Sequence, residues 1–130
     1  ISSGSFSDYP GHFIEIMATL ADISGAAYPE SHNGAAVTPL QGQSLLPAFR
    51  GEEAEREKPL FWEWQHGQAV REGDWKLVRH GLDSGWDLYD LSADPTETHN
   101  LAEKHPDRVK SLEDLFIQWK EESTAWMHSP

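Results

Sequence analysis

Residues 59–101 read PLFWEWQHGQAVREGDWKLVRHGLDSGWDLYDLSADPTETHNL, and their pattern decides the fold. Leu60, Trp62 and Trp64 alternate with Phe61 and Glu63; Trp75, Leu77 and Arg79 alternate with Lys76 and Val78; Trp86 and Leu88 alternate with Asp87 and Tyr89. Period-two alternation of this kind belongs to half-buried strands. The run from Gln68 to Arg71 supplies another strand, and His66-Gly67, Glu72-Gly73 and Asp83-Ser84-Gly85 are turn-forming separators. The simplest topology is a four-stranded antiparallel meander over 59–92, ended by Asp94-Pro95.

The period changes on both sides of this block. From His105 to about Glu122 the apolar residues Val109, Leu112, Leu115, Phe116 and Trp119 recur at helical spacing, with Pro106 at a first helical position. That helix should cover one face of the sheet, giving a two-layer α+β fold. Upstream, Phe13, Ile16, Met17, Leu20 and Ile23 form one apolar stripe of a helix over 12–24, stopped by Gly25. Between Ala26 and Lys58 recurrent Pro and Gly predict a long ordered loop, with a turn at Asn33-Gly34 and a short helix near Ser44 to Phe49. The organisation expected is therefore one subdomain, 1–130: a helix and long loop over 1–58, the meander, and a turn with a C-terminal helix over 93–130. Residues 127 to 130 should fray.

With 38% hydrophobic and 25% charged residues, the 130-residue chain is large enough to bury a core. No apolar run approaches the roughly 20 residues that cross a bilayer, so no membrane partner is expected. Ten basic against 22 acidic residues give a formal charge of −12, a field that repels phosphate backbones and argues against nucleic acid. Glu52, Glu53, Glu55 and Glu57 crowd one stretch and read as a solvated run. The chain begins at Ile1 without a signal-peptide pattern, and it is expected to be an excised fragment. It has no cysteine, which excludes disulfides and thiolate metal sites but does not name a compartment.

Catalytic signatures are sparse. His12, His32, His66, His80, His99, His105 and His128 share no metal-binding spacing, so no metal site is expected in the chain. There is no G-x-S-x-G elbow, and Glu52-Glu53 and Glu121-Glu122 read as solvated pairs, so no catalytic residue is assigned. The four Trp at 62, 64, 75 and 86 fall on faces where a core is needed, the alternative being a platform that stacks on sugar rings.

The stretch REKPLFWE, then AVREGDWKLV, then WDLYDLSADPTETHNLA resembles the C-terminal part of the sulfatases. GHFIEIMATLADISGAAYPE and the loop PLQGQSLLPAFRG resemble the helix and loop that precede the terminal sheet in that family, with Glu15 and Ala18 where the family more often has Asp and Pro. The chain lacks the C/S-x-P-x-R motif that matures to the formylglycine nucleophile. The resemblance thus implies a non-catalytic C-terminal part of an enzyme that hydrolyses aryl or carbohydrate sulfates, inactive alone. It places the nucleophile and a calcium ion in an N-terminal catalytic domain, which would be this chain's partner, and implies a periplasmic or secreted location. It also places the tip of the first hairpin beside the substrate cleft, so that His66 and Arg71 become candidate contacts to a sulfated small molecule or glycan. The alternative for these two is a solvated turn histidine and an arginine paired to Glu63 or Asp74. Two other functions stay open: an autonomous carbohydrate-binding or interaction module, and the C-terminal domain of a related phosphohydrolase. For the chain alone, either an exposed apolar patch on the 12–24 helix or a homodimer that covers it is expected.

Overall fold

A glycine ends the first helix and a buried carboxylate begins it. The computed structural model describes residue 4, residues 6–52 and residues 55–127. The chain divides into two compact units, Ile1–Glu57 and Lys58–Pro130. In the first, α1 spans Glu15–Ser24 and closes at Gly25, whose φ of 67° is left-handed. Its buried residues are polar, Glu15 and Thr19, while Phe13, Ile16, Met17, Leu20 and Ile23 of the apolar stripe are all exposed. Glu15 Oε2 accepts the His12 backbone N–H at 2.6 Å, and Oε1 accepts from Arg56 Nη1. Both side chains of that ion pair are inaccessible, 0% for Glu15 and 5% for Arg56. Burial, and then the Arg56 charge, lower the pKa of His12 below the ordinary histidine value.

Thr19 extends the polar side of α1. Its hydroxyl donates to Glu15 O at 2.7 Å and accepts the Leu45 N–H at 2.9 Å, while Ser44 Oγ donates to Asp22 Oδ2 at 2.5 Å. The PLQGQSLLP segment is therefore tied to the helix by side-chain hydrogen bonds. Gly42 is required there, because a Cβ would overlap the Ile14 carbonyl. Within the expected loop, β1 (Ser31–His32) and β2 (Ala35–Ala36) form a small hairpin. Asn33 and Gly34 at its turn both have positive φ, 52° and 83°, as a two-residue type I′ connection demands. The short helix α2 covers Leu46–Arg50 and stops at Gly51. Glu52, Glu55 and Glu57 are exposed, and Glu53 lies outside the described residues.

In the second unit β3 (Leu60–Trp64), β4 (Gly67–Glu72), β5 (Trp75–Arg79) and β6 (Asp87–Asp90) form one antiparallel sheet in the order β3-β4-β5-β6. The helix α3 covers Pro106–Met127, and the remaining residues expected to fray, 128–130, lie outside the described ones. The expected α+β architecture is thus present. Register places Phe61 opposite Val70, Val70 opposite Leu77 and Leu77 opposite Leu88. Val70, Leu77 and Leu88 with Leu112 and Phe116 of α3 make the buried core. Phe61, Trp75, Trp86, Val109, Leu115 and Trp119 pack around it. Phe61 and Trp119 stack with centroids 5.0 Å apart and planes 2° from parallel.

One expectation fails on β3. Trp62 and Trp64 do not face this core; Phe61 does, and Trp64 is 79% exposed. The cause is the two-residue Gln65-His66 connection, which pairs Trp64 with Gly67 and so sets Phe61 across from Val70.

The outer edge of β6 is covered by the segment that follows it. Asp94 accepts the N–H groups of Thr98 and His99 at 2.8 and 2.7 Å, folding the DPTE turn. Asn100 Oδ1 then accepts the N–H of Leu88 at 3.0 Å, and the Leu101 N–H donates to Leu88 O at 2.8 Å. The edge strand keeps no free Leu88 backbone groups for a foreign strand. The THNL sequence carries this closure.

Candidate functional site

The hairpin between β3 and β4 puts exposed chemistry at its tip. Gln65 adopts φ 53°, an unusual conformation for a residue with a side chain. His66 beside it is exposed, as is Trp64 at the end of β3. Arg71 sits towards the other end of β4. Gly67 and Arg71 are four residues apart on one strand, about 13 Å at 3.3 Å per residue. Arg71 Nε donates to Gly73 O at 2.9 Å and pairs with neither Glu63 nor Asp74. His66 and Arg71 thus lie towards opposite ends of β4 as two separate polar points.

A second polar constellation was not anticipated from sequence. Glu63, Gln68 and Arg79 occupy matched register positions on β3, β4 and β5. Gln68 Nε2 donates to Glu63 Oε1 at 2.9 Å, and Arg79 Nε donates to Gln68 Oε1 at 2.7 Å. From α3, Lys120 Nζ donates to Glu63 Oε1 at 2.5 Å, and Glu113 Oε1 accepts the Trp86 indole N–H at 2.8 Å. The guanidinium of Arg79 lies over the Trp86 ring, 4.8 Å from its centre. The sequence signal was available in principle: one polar residue at the same register on three consecutive strands, all on the face towards α3.

The Lys120 hydrogen bond holds the Glu63 carboxyl below the ordinary carboxylate pKa of 4.5, against a weaker upward push from burial and with further help from Gln68. A lowered folded-state pKa stabilises the fold above the ordinary value, and that contribution disappears as pH falls through the lowered one. Both side chains are partly exposed, so the effect is small, below about 1 kcal/mol. Urea midpoints of the native chain and Glu63→Gln should differ at neutral pH and converge as pH falls through the lowered carboxyl pKa. A gap that persists undiminished in acid would contradict the pairing.

Among the described residues no group of three or more His, Cys, Asp or Glu side chains is placed to hold a metal ion. No helix among the described residues is long and apolar enough to cross a membrane.

Comparison with known proteins identifies the family. Residues 8–122 match the family model described as N-sulphoglucosamine sulphohydrolase, C-terminal. The chain belongs to the sulfatase family. Over 101 residues it is 38% identical to the choline-sulfatase of Rhizobium meliloti, covering 72% of this chain and 18% of that one. It is 32% identical over 108 residues to the delta 4,5-hexuronate-2-O-sulfatase of Bacteroides thetaiotaomicron, covering 76% and 21%. A solved structure of a 2-O GAG sulfatase aligns with TM-score 0.64 at 28% identity, over 85% of this chain and 24% of that one. A phosphonate monoester hydrolase of Agrobacterium radiobacter shares the fold, with TM-score 0.54 and 23% identity over 83% of this chain and 24% of its own. This sulfatase C-terminal region spans about a fifth of the length of its curated relatives.

Proposed function

We propose that the chain is the non-catalytic C-terminal subdomain of an enzyme that hydrolyses sulfate esters, and that its work is to support and shape the substrate pocket of an upstream catalytic domain. The observation that carries this is the family match over residues 8–122, joined to the absence of a C/S-x-P-x-R motif from the sequence. Sulfatase relatives acting on choline and hexuronate esters, by their names, support a small sulfated molecule or a sulfated glycan as substrate. The formylglycine nucleophile and a calcium ion would come from the upstream domain, and the parent would work in the periplasm or outside the cell. His66, at the hairpin tip, would touch the substrate; Arg71 would meet a different part of it, given their separation along β4.

The test is sulfate release by the longer parent chain from an aryl sulfate and from sulfated disaccharides, with a phosphonate monoester as competitor chemistry. Release from at least one sulfate ester supports the proposal. Hydrolysis of the phosphonate alone would replace it with the phosphohydrolase alternative.

The apolar stripe of α1 carries a proposal for the chain in isolation. Phe13, Ile16, Met17, Leu20 and Ile23 form a contiguous exposed face of the kind that soluble monomers seldom keep open. In the parent the catalytic domain would cover it; without that domain a symmetric homodimer would. Sedimentation of the chain over a range of concentrations should show self-association that Ile16→Glu with Leu20→Glu abolishes. A monomer at every concentration that binds no hydrophobic dye would contradict this.

A further inference from the structure

Arg79 is fixed at one end and open at the other. Its Nε is bound to Gln68 and its plane lies over Trp86, whereas neither Nη has a partner among the described residues. A guanidinium held in this way presents a ready fork for an oxyanion, since the two Nη groups match a carboxylate or sulfate bidentately and little side-chain freedom is left to lose. The residue lines a groove of about 640 Å³ between the sheet and the C-terminal half of α3. That volume is in the range of sites for small organic ligands. Its other walls include Leu82 and Ile117, which leave 57% and 48% of their surface open and form an apolar shelf beside the cation.

The acidic groups around the groove limit what it can hold. Glu63 is neutralised by Lys120, and Glu113 is engaged by the Trp86 indole, but Glu113 and Glu121 still carry negative charge at the wall. A polyanion would be repelled; hydroxyl groups would find acceptors. We propose that this groove is a binding site for a single sugar unit bearing one oxyanion, a uronate carboxylate or a sulfate half-ester, with the oxyanion on the Arg79 fork and an apolar ring face on Leu82 and Ile117. The choice of a sugar rests on the proposed role of the parent in hydrolysing sulfated carbohydrates; the anion site rests on Arg79 itself.

The experiment is a titration of the isotope-labelled 130-residue chain with three disaccharides, one monosulfated, one containing an unsulfated uronate and one neutral, following the Trp86 indole N–H resonance. Trp86→Phe assigns that signal. A saturable shift with either anionic sugar and none with the neutral one is expected, and the arm that responds identifies the oxyanion. Arg79→Gln should weaken binding about tenfold or more, as the loss of a charge-assisted bidentate contact does. Arg79→Lys, which keeps the charge and loses the fork, should weaken it nearly as much. Arg50→Gln, which removes the same charge from an exposed position, should leave it unchanged. Absence of a shift with both anionic sugars, equal binding of the neutral one, or unaltered binding by a folded Arg79→Gln chain would overturn the site. Sulfate release by the parent is a separate readout, so failure of the groove and failure of the proposed enzyme activity remain distinguishable.

Discussion

Replacing Phe116 by alanine is expected to lower the stability of the unit formed by residues 58–130 by about 3–5 kcal/mol, the cost of deleting a large aromatic from a packed core. Phe116 is 2% exposed and belongs to the cluster of Val70, Leu77, Leu88 and Leu112 that joins α3 to the sheet. Its ring meets Trp119 at 5.4 Å, Trp86 at 5.8 Å and Phe61 at 6.5 Å between centroids, all inclined rather than face to face. Removing it opens a cavity among three other rings that cannot collapse without giving up their own contacts. All six tryptophans lie in this unit, so the denaturation midpoint followed by tryptophan fluorescence reports it alone. Ile117→Ala, one residue along on the exposed side of the helix, should cost under about 1 kcal/mol. Equal midpoints for the two variants would mean that α3 does not pack on the sheet through this face.

An effect of similar size is expected in the other unit, from a different cause. Glu15→Ala removes the carboxylate that faces Arg56 and the acceptor of the His12 N–H, taking one charge out of a pair whose guanidinium is almost wholly out of water. Breaking a buried pair from one side costs about 3–5 kcal/mol, whereas replacing both partners by apolar side chains of similar volume can be nearly neutral. Glu15→Ala should therefore melt α1, read as rapid amide exchange over residues 15–24, while Glu15→Leu combined with Arg56→Met should recover most of the protection. A double variant no better than the single one would show that the pair contributes through its specific geometry and not through charge balance.

These two cores differ in how far the sequence disclosed them. Trp75, Leu77, Trp86 and Leu88 announce their strand faces because polar residues separate them, and α3 announces itself because Leu112, Phe116 and Trp119 repeat at helical spacing. On β3 both alternating sets carry an apolar residue, Phe61 beside Glu63 on one side and Leu60, Trp62 and Trp64 on the other, and the more apolar set is not the one that meets α3. The register decides, through the two-residue turn that pairs Trp64 with Gly67. Glu15 was hidden for another reason: its partner is 41 residues away, and a carboxylate on a helix beside an apolar stripe looks like a solvated one. The polar line of Glu63, Gln68 and Arg79 likewise exists only once three strands are aligned. His66 was visible as a turn residue, but its distance from Arg71 followed from strand geometry that motif matching does not contain.

We propose that this sulfatase C-terminal region shapes a pocket without performing the reaction. Its most direct test is sulfate release from an aryl sulfate by the purified 130-residue chain, with and without added calcium, against a buffer blank. No turnover is expected in either condition, because the sequence holds no cysteine and no C/S-x-P-x-R motif from which a formylglycine could mature. Turnover above the blank that a substitution within this chain abolishes would contradict it.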